Sequence, residues 1–177
     1  MSDAVLIRAS RDDDVPAIAQ IYGDNVLVST ASYEYVPPAA EEFARRRAEV
    51  VAGGFPYFVA ELDGAVVGYA YAHTYRGRIG YRFTVENSVY VADRAAGRGI
   101  GKQLMRAVIE ACEKLGYRQM IAVVGDRANV ASIRLHESCG FRVIGIFPSI
   151  GFKFGRWVDS VQLQRALGPG DSALPAD

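Results

Sequence analysis

Apolar positions follow a strand rhythm and a helix rhythm along the chain, and glycine and proline mark where one gives way to the other. Val5-Leu6-Ile7-Arg8 reads as a short strand. Asp12-Asp13-Asp14 then offers cap residues before Pro16, Ile18, Ala19, Ile21 and Tyr22 at helical spacing. Pro37-Pro38 break the chain, and Phe43, Arg47 and Val50 predict a second helix over Ala39 to Val51, closed by Gly53-Gly54. Phe58 to Leu62 and Val66 to Tyr71 flank Asp63-Gly64, the dipeptide of a tight hairpin, so these runs are predicted antiparallel neighbours. The β-branched run Phe83 to Val91 predicts the next strand.

Ile100, Leu104, Val108, Ile109, Cys112 and Leu115 keep helical spacing up to Gly116, and Met120 to Val124 reads as a short buried strand. Strand, helix, strand in this order predicts a parallel crossover. Asn129 to Cys139 forms another helical stretch with Asn129 as its cap, and Phe141 to Ile146 and Val158 to Gln164 supply the last strands. The fold class is α/β: a mixed, mostly antiparallel central sheet flanked by helices. Phe147 to Trp157, apolar and glycine-containing, is expected to cover the active site or a partner subunit.

Twenty Lys+Arg balance twenty Asp+Glu over 177 residues, so neither nucleic acid nor anionic membrane is an expected partner. Half the residues are apolar, enough for one core, and we expect a single domain over residues 1–168 with a frayed, Pro/Gly-rich tail over 169–177. No apolar run approaches the roughly 20 residues of a membrane span. The start, Met1 to Arg8, lacks a signal peptide's basic flank and apolar stretch, so a cytoplasmic protein is expected. Two cysteines and two histidines form no zinc pattern, and no metal site is expected.

Candidate chemistry starts at Arg94-Ala95-Ala96-Gly97-Arg98-Gly99-Ile100-Gly101-Lys102, between a strand and a helix, where free backbone N–H groups can receive phosphate oxygens. A Walker loop would need Ser or Thr where Gln103 stands and Gly where Ala96 stands. The dinucleotide fingerprint fails at Lys102. What remains, Arg94-x-x-Gly97-x-Gly99, resembles the acetyl-CoA pyrophosphate loop of the GNAT superfamily of N-acetyltransferases. Asn129-x-x-Ser132-x-x-x-His136-x-x-x-Gly140-Phe141 resembles that superfamily's second cofactor motif.

A closer resemblance runs from about Ile7 to Leu167. Thr30 to Glu34, Arg76-x-Arg78, Thr84-Val85-Glu86-x-Ser88-Val89-Tyr90-Val91, Ser132-x-x-x-His136-Glu137 and Gly151 to Trp157 together look like phosphinothricin and methionine sulfoximine N-acetyltransferases. This chain departs from that pattern with Tyr33 where Phe is usual, and with Gly125 to Ala128 where a Pro often precedes the Asn.

The resemblance implies acetyl transfer from acetyl-CoA to a small amine. An α-amino group with a pKa near 8 is roughly 90% protonated at pH 7, so a modest base suffices. Glu86 is the candidate base, directly or through one water. A backbone N–H around Val89 is the candidate oxyanion donor, and Val89, Tyr90 and Val91 would bind the pantetheine arm through main-chain groups. Gly97, Arg98, Gly99, Ile100, Gly101 and Lys102, with Arg94, would hold the pyrophosphate. Asn129 and Ser138 are further cofactor candidates. His136 stands where many relatives carry an acid for the leaving thiolate. Cys139, three residues on, raises a Cys-His nucleophile, but no third orienting residue is apparent.

Arg76 and Arg78 suit bidentate recognition of a carboxylate or phosphinate. Gly77, Thr84 and Val85 accompany them by resemblance, and Tyr33 and Glu34 would shape the same pocket. The related enzymes are commonly homodimers, and one is expected here. Alternatives are a different amine (a polyamine, an antibiotic or a protein N-terminus) and a CoA-binding module without turnover, which would have no need of Glu86.

Overall fold

The computed structural model describes residues 4–175. Its strands are β1 (Leu6–Ala9), β2 (Tyr57–Leu62), β3 (Ala65–Thr74), β4 (Thr84–Val91), β5 (Gln119–Gly125), β6 (Arg142–Lys153) and β7 (Arg156–Ala166). They form one sheet in the order β1-β2-β3-β4-β5-β7-β6. β4 and β5 run parallel, and the other neighbours run antiparallel. The helices are α1 (Val15–Val28), α2 (Ala40–Ala52), α3 (Ile100–Lys114) and α4 (Val130–Ser138). Met1 to Asp3 of the predicted leaderless start, and Ala176 and Asp177 of the predicted tail, lie outside the described residues.

Alternation along the central strands places one core on each sheet face. Ala60, Ala70 and Ala72 keep the sheet surface low beneath α3, whose Ile100, Leu104, Met105, Val108 and Cys112 are all but fully buried. Each such large side chain contributes roughly 1.5–3 kcal/mol by leaving water. Leu115, predicted on the same stripe, is 55% exposed because the helix has ended before it. On the opposite face Tyr57, Val59 and Tyr69 pack against Ile18 and Ile21 of α1 and Phe43 of α2. Among the described residues no helix is long and apolar enough to cross a membrane.

Local signals explain most of the boundaries. Asp63 and Gly64 both take positive φ, 51° and 78°, as a tight hairpin requires. Asp14 accepts the Arg11 N–H at 2.7 Å and a two-pronged contact from Arg8, 2.8 Å on each prong, tying β1 to the start of α1.

The last hairpin differs from the prediction. Phe147 to Trp157, which lies between the two predicted strands, continues β6 and β7 as a two-stranded ribbon as far as the Phe154-Gly155 turn. Pro148 and Gly151 read as loop residues in sequence. Here they sit where the register shifts between Phe147 and Gly151, a bulge where a missing N–H does no harm. Asp159 closes the bulge by accepting the Ser149 N–H at 2.8 Å. The ribbon leaves Ile146, Phe147, Ile150, Phe152, Phe154 and Trp157 exposed. Past β7 the chain turns through 168–172, and Arg118 donates to the carbonyls of Gly170 and Leu174.

Candidate active site

The parallel pairing of β4 with β5 stops at Asn87 and Ala122, while β5 goes on pairing with β7 to Gly125. β4 therefore splays from its neighbour after Asn87. Ala92 N donates to Val67 O at 2.8 Å, so strict antiparallel alternation turns the main-chain groups of Tyr90, Ser88 and Glu86 toward β3. The main-chain groups of Val89 and Val91 then face the opening, with no strand beside them. An extended amide-bearing chain laid in the gap would meet ready donors and acceptors.

Two cavities open from the splay. One, of about 230 Å³, is lined by Ala31, Ser32, Tyr33, Glu86, Asn87, Ser88, Val89, Tyr90, Val124, Gly125, Asn129, Ser132 and His136, among others. The second, of about 340 Å³, runs from Val89, Tyr90 and Val91 past Asn129 and Ser132 to Gly97, Gly99, Ile100, Gly101 and Lys102. Its far end is the N-terminus of α3. Gly99 occupies the cap position at φ 73°, a left-handed conformation that Gly adopts without a Cβ penalty, and no side chain caps the helix. The first-turn N–H groups and the positive end of the helix dipole are thus left for an anion. These residues fit the pyrophosphate and pantetheine of a CoA ester. Arg94 and Arg98, named with this loop, do not line the cavity; Arg94 donates to Val66 O at 3.2 Å.

Glu86 points into the smaller cavity with its side chain 26% exposed. Burial raises its pKa above the ordinary 4.5, and His73 nearby, when protonated, opposes part of the rise. Across the β3–β4 pair, His73 Nε2 lies 4.0 Å from Glu86 Oε1.

His136 is not presented as an acid. It is 3% exposed, with Nδ1 at 2.8 Å from Ser132 O and Nε2 at 3.0 Å from Asn87 Nδ2. A carbonyl only accepts, so Nδ1 carries the proton, and the neutral ring accepts from Asn87 through Nε2. Both nitrogens are committed, and burial lowers the pKa below 6.5 despite the Ser132 bond. His136 does line the cavity, but sequence could not show that Asn87 occupies its Nε2. Cys139 is buried and lines neither cavity.

Several residues predicted for the substrate pocket are not brought to it. Arg76, Gly77, Arg78 and Thr84 line a separate cavity with Phe55, Tyr81 and Tyr117, because the loop after β3 turns away before β4 begins. Val85 is fully buried in the core and presents no side chain to either cavity. Glu34 turns outward to pair with Arg46 at 2.7 Å. Ser138 is exposed at the C-terminal end of α4, donates to Leu135 O at 2.8 Å and lines neither cavity. Asn129 does line both cavities, and its side chain also caps α4 by accepting the Ser132 N–H at 3.2 Å.

The wall opposite Glu86 is the loop after α1, and the β6–β7 ribbon holds it. Lys153, 1% exposed, spends its three N–H donors on the carbonyls of Val26, Ser29 and Ser32 at 2.7–2.8 Å. Tyr33 donates its hydroxyl to Asp159 O at 2.9 Å, and Tyr35 donates to Phe152 O. The Tyr33 ring packs so closely over Gly151 that a Cβ there would collide with it. The hydroxyl that distinguishes Tyr33 from Phe is thereby spent on the ribbon. Sequence reasoning overlooked Lys153, Ser32, Asn87 and His73, whose partners are remote along the chain.

Comparison with known proteins agrees with this geometry. The model of the acetyltransferase (GNAT) domain matches residues 7–162. A phosphinothricin N-acetyltransferase of Alcaligenes faecalis is 52% identical over 172 residues, covering 97% of this chain and 87% of that protein. An L-methionine sulfoximine/L-methionine sulfone acetyltransferase of Pseudomonas paraeruginosa is 40% identical over 171 residues, 94% of this chain and 97% of that protein. The crystal structure of a phosphinothricin acetyltransferase from Sinorhizobium meliloti in complex with AcCoA superimposes with a TM-score of 0.95 at 42% identity, covering 98% of this chain and 94% of that chain. The chain belongs to the GNAT acetyltransferase family, whose cosubstrate is acetyl-CoA.

Proposed function

We propose that the protein transfers the acetyl group of acetyl-CoA to the amine of a small amino acid analogue such as L-phosphinothricin, L-methionine sulfoximine or methionine sulfone. The observation that carries this is a half-buried carboxylate, Glu86, in a small cavity continuous with the cleft below the α3 N-terminus. Acetyl-CoA supplies the thioester carbonyl that the amine attacks. Glu86 takes a proton from the substrate ammonium. The Val89 N–H, facing the opening, stabilises negative charge on the thioester oxygen, and Val91 meets the pantetheine amides. The amides from Gly97 to Lys102 hold the phosphates, and Asn129 and Ser132 line the passage between the cavities.

The size of the base's cavity, about 230 Å³, lies below the roughly 300 Å³ where common ligand sites begin and favours a small amine over a bulky antibiotic. Relatives whose names carry phosphinothricin and methionine sulfoximine support the same class. The residues lining this cavity include no Lys or Arg, so the substrate's anionic end meets hydroxyl and amide groups within one chain. We further propose a single domain over residues 1–168, a cytoplasmic location and a homodimer; the exposed apolar ribbon from Ile146 to Trp157 supports the last.

Thiol release from acetyl-CoA across phosphinothricin, methionine sulfoximine, methionine sulfone, common amino acids, a polyamine and a short peptide tests the substrate class. Turnover confined to the amino acid analogues agrees with the proposal. Preference for the polyamine or the peptide overturns it.

A further inference from the structure

Acetylation turns an ammonium and a thioester into an amide, a thiol and one proton. The nitrogen loses two protons in all; the leaving thiolate takes one, and Glu86 takes the other. Glu86 must then be emptied before the next turnover, at a moment when amine and cofactor fill the cavity it faces. We infer that His73 empties it, accepting the proton from Glu86 and passing it to solvent; the inference rests on Glu86 being the base.

The geometry supports each transfer. His73 and Glu86 are directly opposed residues of β3 and β4, so their side chains share a sheet face. His73 Nδ1 lies 2.9 Å from Thr74 O, a carbonyl that can only accept, so Nδ1 donates and, in the neutral ring, Nε2 carries the lone pair. That lone pair is the atom 4.0 Å from Glu86 Oε1. The gap exceeds a hydrogen bond by about an ångström, within what substrate-free sites close on binding. The His73 side chain is 37% exposed against 26% for Glu86, so the imidazole is the more open of the two.

His73 opens onto its own shallow groove, away from the cofactor cleft, where Arg46 and Glu49 of α2 and Tyr71 of β3 are its titratable neighbours besides Glu86. Arg46 is already paired with Glu34 and Glu42, and Glu49 with Arg45, so neither holds the ring in an ion pair. In the full cycle the ammonium proton passes to Glu86, then to His73 Nε2, giving an imidazolium, and then to a water or buffer base in the groove. No co-reactant beyond solvent is required.

Chemical rescue tests the relay, because a purely structural role would not respond to added base. The rate kcat is measured at saturating substrates in dilute buffer for the parent, His73→Ala, His73→Gln and Glu86→Gln, with imidazole then added in increasing concentration. The relay predicts a loss of about tenfold in kcat for both His73 variants, smaller than the hundredfold or more expected for the base itself. It also predicts an unchanged KM for acetyl-CoA and a saturable return of rate with imidazole in both. Parent-like kcat in the His73 variants, or a loss that imidazole leaves untouched, overturns the relay while leaving Glu86 as base. Full activity of Glu86→Gln overturns the base assignment and the relay together.

Discussion

Asn87 holds one ring nitrogen of His136: its Nδ2 lies 3.0 Å from His136 Nε2, while Nδ1 is engaged by Ser132 O. An imidazole fixed this way offers no proton to a leaving thiolate. His136→Gln is therefore expected to keep kcat within about tenfold of the parent, well short of the 10²–10⁴ that a general acid contributes. Comparison of the two kcat–pH profiles checks this, and loss of a descending alkaline limb in the variant would restore the acid role.

The same burial makes His136 a source of acid sensitivity. Its folded pKa is depressed below the ordinary 6.5, so under acid conditions the unfolded chain binds the proton more readily. The stability it contributes is present above pH 6.5 and is lost as pH falls from 6.5 toward the folded value. Glu86, whose folded pKa is raised, works with the opposite sign and is common to parent and variant. Urea melts from about pH 7 to about pH 5 should show a smaller loss of stability in His136→Gln than in the parent. Parallel losses in the two proteins would refute this.

Lys153 caps the last turn of α1 from across the molecule, and its removal strands three carbonyls. Lys153→Met should cost about 2–4 kcal/mol in urea unfolding, with Lys153→Arg failing to restore it because a planar guanidinium cannot fill a three-pronged socket. Since the loop it holds carries Ser32 and Tyr33, KM for the amine should rise more than KM for acetyl-CoA. Equal changes in both constants would mean that the loop is not a substrate wall.

Tyr33 is held over Gly151 with its hydroxyl on Asp159 O. Tyr33→Phe is accordingly expected to change the amine KM by less than about threefold, and stability by roughly 0.5–1.5 kcal/mol. Gly151→Ala, which drives a methyl into the ring, should raise the amine KM far more. Steady-state kinetics on the two variants separates a ring that shapes the pocket from a hydroxyl that binds substrate.

Features built from neighbouring residues were legible in the sequence. The Asp63-Gly64 hairpin, the Asn129 cap and the glycines before α3 each follow from local backbone needs, and the mostly antiparallel sheet follows from their order. Features that depend on which way a strand faces were not. Val85 and Glu86 are adjacent in one motif, yet pleating sends one into the core and the other into the cavity. Ser138 shares a helical stripe with Ala131 and Leu135 of the cleft, but it ends α4 a turn beyond them and lines neither cavity. Arg76 and Arg78 are close to Glu86 along the chain, but the path of the loop carries them to another cavity. The partners of Lys153 lie more than 120 residues away, and the opposition of His73 to Glu86 follows from a register that no local signal encodes.

The central claim is that Glu86 is the base, and the dependence of kcat/KM on pH for the amine, in parent and Glu86→Gln, tests it most directly. Burial raises this carboxyl, so the parent rate should climb with pH through an acid limb lying above the ordinary 4.5 and then level off. Glu86→Gln should lose at least about a hundredfold and the limb with it, while still binding acetyl-CoA as the parent does. A variant that keeps the parent's rate and the same acid limb would contradict the assignment.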